Sequence, residues 1–182
     1  MTEKEKMLNG EMYLASDPEL VEERKLARKI ILEASSVIDN FERTEIYKKL
    51  VNVKDRASFG MGLKFDYGTN IFVGDNFYCN FDCTMLDVCR ITFGDNCMLG
   101  PNVQIYTATH PLNAIKRNTG EEFGKEITIG NNVWIGGAVV IFPGVTLGNN
   151  VVVSAGSVVT ESFEDNVLIG GNPAKVLKII KE

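Results

Sequence analysis

ITIGNNVWIGGAVVIFPGVTLGNNVVVSAGSVVTES, residues 127 to 162, repeats itself every six residues. Cut into sixes it reads ITIGNN, VWIGGA, VVIFPG, VTLGNN, VVVSAG and SVVTES. The third place is always aliphatic: Ile129, Ile135, Ile141, Leu147, Val153 and Val159. The first place holds Ile127, Val133, Val139, Val145 and Val151, and breaks only at Ser157. Six is not a helical period. Two apolar residues two apart lie on one side of a short strand, and Gly, Asn and Pro then fall where the chain must turn. A hexapeptide period of this kind is the sequence sign of a parallel β-helix.

The same beat runs upstream. ITFGDN starts at Ile91, CMLGPN at Cys97 and VQIYTA at Val103, with Phe93, Leu99 and Ile105 in third place. Before them come IFVGDN from Ile71, FYCNFD from Phe77 and CTMLDV from Cys83, out of step by two residues, Cys89 and Arg90. That offset predicts a bulged corner. Ile105 and Ile129 stand 24 residues apart, one repeat of six plus 18 more. The polar, aperiodic part of this excess, about 110 to 126, predicts a loop thrown out from the coil. Three repeats per coil give about four coils, and stacking is obligatory because one coil cannot bury its own apolar side.

Strand alternation also predicts the outer surface. Residues 18 apart share a face, so one face shows Thr92, Thr128 and Thr146. A second shows Tyr78, Met98, Trp134 and Val152, and a third Gln104, Val140 and Val158. A lone chain has little reason to display apolar rows of this kind. A threefold ring needs two different patches on each subunit. The second and third faces are therefore expected to line subunit contacts, and the threonine face to meet solvent or the N-terminal helices.

The rest of the chain sets bounds. Its 182 residues, 45% of them apolar, suit one domain. Residues 1–57 are expected as a helical segment packed on the coil. Residues 58–182 are expected as the β-helix domain, with a protruding loop at about 107–126 and a tail from about 163. Residues 3–9 suit a short helix stopped by Gly10. Asp17-Pro18 is a helix start, followed by Leu20, Ala27, Ile30, Ile31, Ala34 and Val37 at helical spacing. A further helix is expected from Glu42 to Asn52 with Ile46, Leu50 and Val53 inward. No apolar run approaches the ~18 residues of a membrane span, and MTEKEK lacks the apolar stretch of a secretory signal, so a cytoplasmic protein is expected. A net charge of −5 argues against nucleic acid as partner. Cys79, Cys83, Cys89 and Cys97 have no paired metal spacing and one histidine to join them, so free thiols and no metal are expected.

NFDCTMLDVC (80–89), YTATHP (106–111), ITIGNNVWIGG (127–137) and GGNPAK (170–175) resemble the hexapeptide-repeat sugar O-acetyltransferases of the maltose and galactoside types. The resemblance covers nearly the whole chain. It implies a left-handed β-helix, a homotrimer, acetyl-CoA as donor and a sugar hydroxyl as acceptor.

His110, the only histidine, sits on a Thr-His-Pro corner where the repeat gives way to the loop. Transfer to a hydroxyl needs a base that works near neutral pH, the role of an imidazole. Asn80 matches the family's amide beside the reacting groups, able to orient the acceptor or donate to an oxyanion. The resemblance also offers Asp17 and, more weakly, Asp87 as sugar ligands; Asp17 doubles as a helix cap and Asp87 as a corner residue. For CoA it points to Gly137, Ala155, Thr160, Lys175 and Lys178, with Trp134 expected near a cleft between subunits. Two departures stand out: Glu161 occupies the place of a family Lys, and Lys175 that of the more usual Arg. Lysine meets phosphate as a point charge, not a fork, so weaker phosphate recognition is expected.

A metal hydratase on the same repeat would need three histidine ligands and is set aside. Acetylation of another acceptor (a galactoside, an amino sugar, an antibiotic or serine) and a scaffold without catalysis remain as rivals. The face pattern makes its own prediction: Trp134→Glu weakens the trimer, read as a fall in mass by ultracentrifugation. A trimer left intact by this change would overturn the face assignment.

Overall fold

The computed structural model describes residues 1–181. Its body is a parallel β-helix with three faces. The first face stacks Asn52–Val53, Ile71–Val73, Ile91–Phe93, Ile127–Ile129 and Thr146–Leu147. The second stacks Ala57–Phe59, Phe77–Cys79, Met98–Leu99, Trp134–Ile135, Val152–Val153 and Val167–Gly171. The third stacks Lys64–Phe65, Thr84–Leu86, Gln104–Tyr106, Val140–Ile141 and Val158–Val159. Five complete coils and a partial sixth result, where the repeats alone gave about four. The additional coil is formed by residues 52–65, so the coil starts at Asn52 and not at 58. Its inward Phe59, Leu63 and Phe65 are buried, but they sit in no recognisable Gly-Asn hexad, which is why the repeat misses them.

The outward rows stand in register as the arithmetic requires. Thr92 pairs with Thr128 and Thr128 with Thr146. Tyr78, Met98, Trp134 and Val152 line up on the second face, and Gln104, Val140 and Val158 on the third. The third row continues through Thr84 to Lys64, so that face is apolar only in its later coils. Inside, a column of Ile, Leu, Val and Phe is fully buried, from Phe59 and Phe77 to Val153 and Val159. Each such side chain contributes about 1.5–3 kcal/mol. An exposed ion pair such as Lys54–Asp95 gives about 0–1 kcal/mol, so the aliphatic column holds the coil. Ser157, the one break in the first place, is buried with its hydroxyl satisfied: it donates to Ser154 O and accepts from the Gly171 N–H.

The turns use a side-chain ladder. Between first and second faces, Asn76, Asn96, Asn132, Asn150 and Asn166 all have φ between 54° and 60°, a region that asparagine tolerates. Their neighbours bond up the stack. The amide of Asp75 donates to Asp95 Oδ1 at 2.8 Å, Asp95 to Asn131 at 2.8 Å, Asn131 to Asn149 at 2.8 Å, and Asn149 to Asp165 at 2.7 Å. In the early coils the third-to-first corner carries the two additional residues, so Ile71 pairs with Ile91, 20 positions on, while Thr128 pairs with Thr146, 18 on.

Helix α1 (Glu3–Leu8) is capped by Thr2 and followed by Gly10 at φ 72°. Helix α2 (Pro18–Ser35) starts under an Asp17 cap and buries Leu20, Ala27, Ile30 and Ala34. Helix α3 covers Asn40–Tyr47, capped by Asp39, and does not reach Asn52. Ile46, Leu50 and Val53 do pack on the core, but Val51 and Val53 do so as part of the first coil. Their spacing fits helix and strand equally, and the coil offers the larger apolar partner. The excursion at 107–126 is more ordered than an aperiodic loop. Ala108–Thr109 and Glu121–Gly124 form a hairpin around α4 (Ala114–Arg117), and Tyr13–Leu14 adds a third antiparallel strand. At the C-terminus Val167–Gly171 and Ala174–Ile179 form another hairpin.

At the corner between second and third faces, the left-handed position is held by Gly62, Asp82, Asn102, Ala138 and Gly156. Ala138, at φ 55°, lacks both the freedom of glycine and the local bonding of Asn or Asp. Ala138→Gly is expected to raise unfolding free energy by about 1 kcal/mol, measured by urea titration.

Candidate active site

His110 is placed by buried polar anchoring and a small sheet. Thr107 is buried; its hydroxyl donates to Leu86 O at 2.6 Å and accepts from the Cys89 N–H at 3.0 Å. The next two residues join the hairpin, Ala108 opposite Gly124 and Thr109 opposite Phe123. Glu122, one step further, pairs with Tyr13 of the N-terminal strand. The Tyr13 hydroxyl donates to Glu122 Oε1, and Glu122 Oε2 lies 3.8 Å from His110 Nε2. Burial, and then the Glu122 carboxylate, hold the Tyr13 phenol well above its ordinary range, so it stays a donor. His110 keeps 55% of its side chain exposed and Glu122 19%.

His110 and Glu122 border a cavity of about 350 Å³ beside α2, whose wall includes Arg24, Arg28, Asp66 and Tyr67. Arg24 donates to the Tyr67 hydroxyl at 2.6 Å and to Ala15 O. Arg28 donates to Asp66 Oδ1 at 3.2 Å and to Phe65 O at 2.7 Å. A larger hollow of about 540 Å³ lies against Gly10, Gly124 and Thr146 on the first face and touches neither His110 nor Asn80.

The other sequence candidates fall into separate groups. Asn80, Gly137 and Ala155 stack along the corner between second and third faces. A Cβ on Gly100, in the coil between them, would stand 2.6 Å from the Gly137 amide nitrogen. Bare backbone is therefore a requirement of stacking there, whatever ligand passes along it. Asn80 is half-buried and its Oδ1 accepts from the Phe81 N–H at 2.8 Å. Trp134 stands outward on the second face, 53% exposed. Thr160 follows the last strand of the third face. Lys175 and Lys178 are exposed on the C-terminal hairpin, and Lys175 is paired with Glu161. An exposed pair of this kind is weak, so an anion can exchange for the carboxylate.

Asp17 does what its place before Pro18 predicts and accepts from the Glu19 N–H at 3.0 Å. Asp87 is fully buried, contrary to a role at a ligand surface. Its Oδ1 accepts from the amides of Asp66 and Tyr67 at 3.0 and 2.9 Å, and its Oδ2 from those of Gly68 and Asn70 at 2.7 and 3.3 Å. All its lone pairs serve the bulged corner. Sequence reading missed Tyr13, Glu122 and the two arginines, because nothing local says that residue 13 pairs with residue 122. Among the described residues no group of three or more His, Cys, Asp or Glu is set to hold a metal, and no helix is long and apolar enough to cross a membrane.

Comparison with known proteins fits this architecture. Residues 6–53 match a family model described as the maltose acetyltransferase hexapeptide capping motif, and residues 126–161 one described as the hexapeptide repeat of succinyl-transferase. A putative acetyltransferase of Dictyostelium discoideum is 54% identical over 99% of this chain and 95% of its own length. The chain belongs to the maltose and galactoside O-acetyltransferase family. The crystal structure of a maltose O-acetyltransferase from Clostridium difficile superposes with a TM-score of 0.98 at 49% identity, covering 100% of this chain and 99% of that one. A galactoside acetyltransferase in complex with coenzyme A follows at 0.94 and 38%, covering 100% and 92%. The matched capping motif runs from the second half of α1 through α2 and α3 to Val53, and so includes Tyr13.

Asp87→Asn leaves two of the four amides that converge on the side chain facing an NH2 group. It is expected to lower stability by roughly 2–6 kcal/mol, at about 1–3 kcal/mol per unsatisfied group, seen as a fall in the urea midpoint.

Proposed function

We propose that this acetyltransferase moves an acetyl group from acetyl-CoA directly to a sugar hydroxyl, of the maltose or glucose kind, with His110 as general base. The observation that carries the reading is the position of the chain's one histidine at the rim of a cavity of about 350 Å³ walled by paired arginines and carboxylates, a polar lining suited to a hydroxylated acceptor. Neutral His110 takes the hydroxyl proton as the acceptor oxygen bonds to the thioester carbon. The tetrahedral adduct collapses, the carbon–sulfur bond breaks, and the imidazolium returns the proton to the thiolate. The amide of Asn80 donates to the developing oxyanion or orients the acceptor. No thiol is needed as nucleophile: Cys79 and Cys83, which flank Asn80, are both buried; a hydrogen bond between the two thiols, and then burial, raises Cys79, while the same bond lowers Cys83.

His110 and Asn80 stand on different corners of the prism, with the third face between them. One chain does not bring them to one site; the His110 corner of one subunit against the Asn80 corner of another does. This supports a homotrimer with its sites between subunits, using the second and third faces and Trp134 beside the donor cleft. The donor arm then lies along Gly137, Ala155 and Thr160, with Lys175 and Lys178 toward its phosphates. Four buried free thiols suit a reducing compartment, the cytoplasm. Asp17 is left as a cap beside the acceptor side. A galactoside or other small acceptor is the second reading, since the maltose and galactoside enzymes superpose almost equally well.

Acetyl-CoA with a panel of sugars, followed by release of free thiol, tests the reading. His110→Ala should lower turnover by roughly 10²–10⁴-fold with coenzyme A binding retained. Near wild-type activity would remove His110 from the chemistry, and ping-pong kinetics or an acetyl group trapped on cysteine would exclude direct transfer.

A further inference from the structure

The turns between the second and third faces stand one above another, and their middle residues form a column: Met61, Phe81, Pro101, Gly137 and Ala155. Backbone bonds fix its register. The Asp82 N–H donates to Met61 O at 2.8 Å and the Asn102 N–H to Phe81 O at 2.8 Å. The Ala138 N–H donates to Pro101 O and the Gly156 N–H to Gly137 O, both at 2.9 Å. The same turn thus accepts Met, Phe, Pro, Gly or Ala at this place, so the backbone does not ask for bulk there. Bulk is nevertheless sorted along the column. Gly137 and Ala155 leave the later coils bare, and a Cβ on Gly137 would already stand 3.3 Å from Pro101 Cδ. Phe81 and Met61 project from the early coils, 56% and 45% exposed, and neither belongs to a buried apolar cluster. Phe81 also follows Asn80 directly, and its N–H donates to the Asn80 side chain at 2.8 Å.

We propose that Phe81 limits the length of the acyl group on the donor, an inference that rests on the donor arm lying along Gly137 and Ala155. With the phosphates toward Lys175 and Lys178 and Asn80 at the thioester carbonyl, the acyl tail points down the column. It leaves the bare coils and meets the Phe81 ring one coil beyond Pro101. A methyl group ends there, and each further methylene has to displace the ring or leave the track. Below Phe81 the track has one more coil spacing, about 4.8 Å, before Met61 closes it. That is space for a few carbons and no more. The donors of this site are therefore short acyl thioesters, and a side chain, not the turn, selects acetyl among them. If Phe81 served only as a subunit contact, its removal would have no dependence on acyl length.

The test compares acetyl-, butyryl- and octanoyl-coenzyme A on the whole enzyme and on Phe81→Ala, Phe81→Leu and Met61→Ala. The quantity read is the ratio of kcat/KM for the longer donor to that for acetyl, from which a general loss of activity cancels. In Phe81→Ala the butyryl ratio should rise by roughly 10–200-fold, the scale of a methylene against a filled pocket. Phe81→Leu should fall between, and octanoyl should stay excluded in both. Met61→Ala alone should leave the ratio as it is, because Phe81 still closes the track. A butyryl ratio unchanged in both Phe81 variants would overturn the proposal, and a fall in mass by ultracentrifugation would then make Phe81 a subunit contact. An equal rise in Met61→Ala, or a wild type that takes butyryl as readily as acetyl, would also overturn it. A second readout needs no acceptor. Calorimetry should show tighter butyryl-coenzyme A binding in Phe81→Ala at an unchanged affinity for free coenzyme A. That result upholds the limit even if no sugar in the panel is acetylated. Coenzyme A that fails to bind the wild type would remove the donor reading, and this proposal with it.

Discussion

Parallel stacking of short strands, each presenting two apolar side chains inward, is the interaction on which everything else here depends. A strand of two or three residues has almost no stability of its own. Each coil is held by the coil above and below, through backbone bonds and through the buried column from Phe59 to Ile169. Because every side chain in the column is buried on both sides, a misplaced residue disturbs three coils at once. The corners answer the same demand. Asn and Gly accept the left-handed backbone, and the Asp–Asn ladder carries bonding through the turns where strand pairing stops.

The hollow that His110 borders is formed by irregularities of the rod. Two exist. The bulged corner, tied by Asp87, widens the early coils and lets the N-terminal segment dock through Met7, Tyr13, Leu20, Tyr67, Val88 and Cys89. The excursion after Thr107 carries His110 off the coil and returns as a strand. The N-terminal strand joins that excursion, and the cavity lies where these two departures meet. The proposed acceptor side thus lies where the repeat fails, while the repeat provides the stiffness that keeps the failure points in register.

Separation of the candidates along different corners has a mechanistic consequence. In a rod with three edges, groups on different edges meet only through a neighbour. An apolar row containing Tyr78, Met98 and Trp134 costs solvation in a lone chain; in the proposed trimer, contact with another subunit would remove that cost while completing the site. On that proposal, assembly and catalysis would be served by the same faces.

By itself the sequence determined the period, and with it the fold. Inward aliphatics, turn residues and the 18-residue face rule depend only on strand alternation and local turn chemistry, and the rows of Thr128, Trp134 and Val140 follow. It also carried the resemblance that singled out His110, Asn80 and the later-coil positions. Local signals were enough for the Asp17 cap and for a bulge near Cys89. Tertiary structure decided what has no local signal. The first coil at 52–65 forms because a stacked neighbour buries Phe59 and Phe65, not because its residues keep the hexad. Asp87 looks like any surface carboxylate until four amides from a segment some 20 residues away converge on it. The order within 107–126, and the meeting of Tyr13 with Glu122, rest on pairing between strands of two and four residues over a hundred positions apart. Strands that short carry no readable alternation, and only the docked cap brings them together.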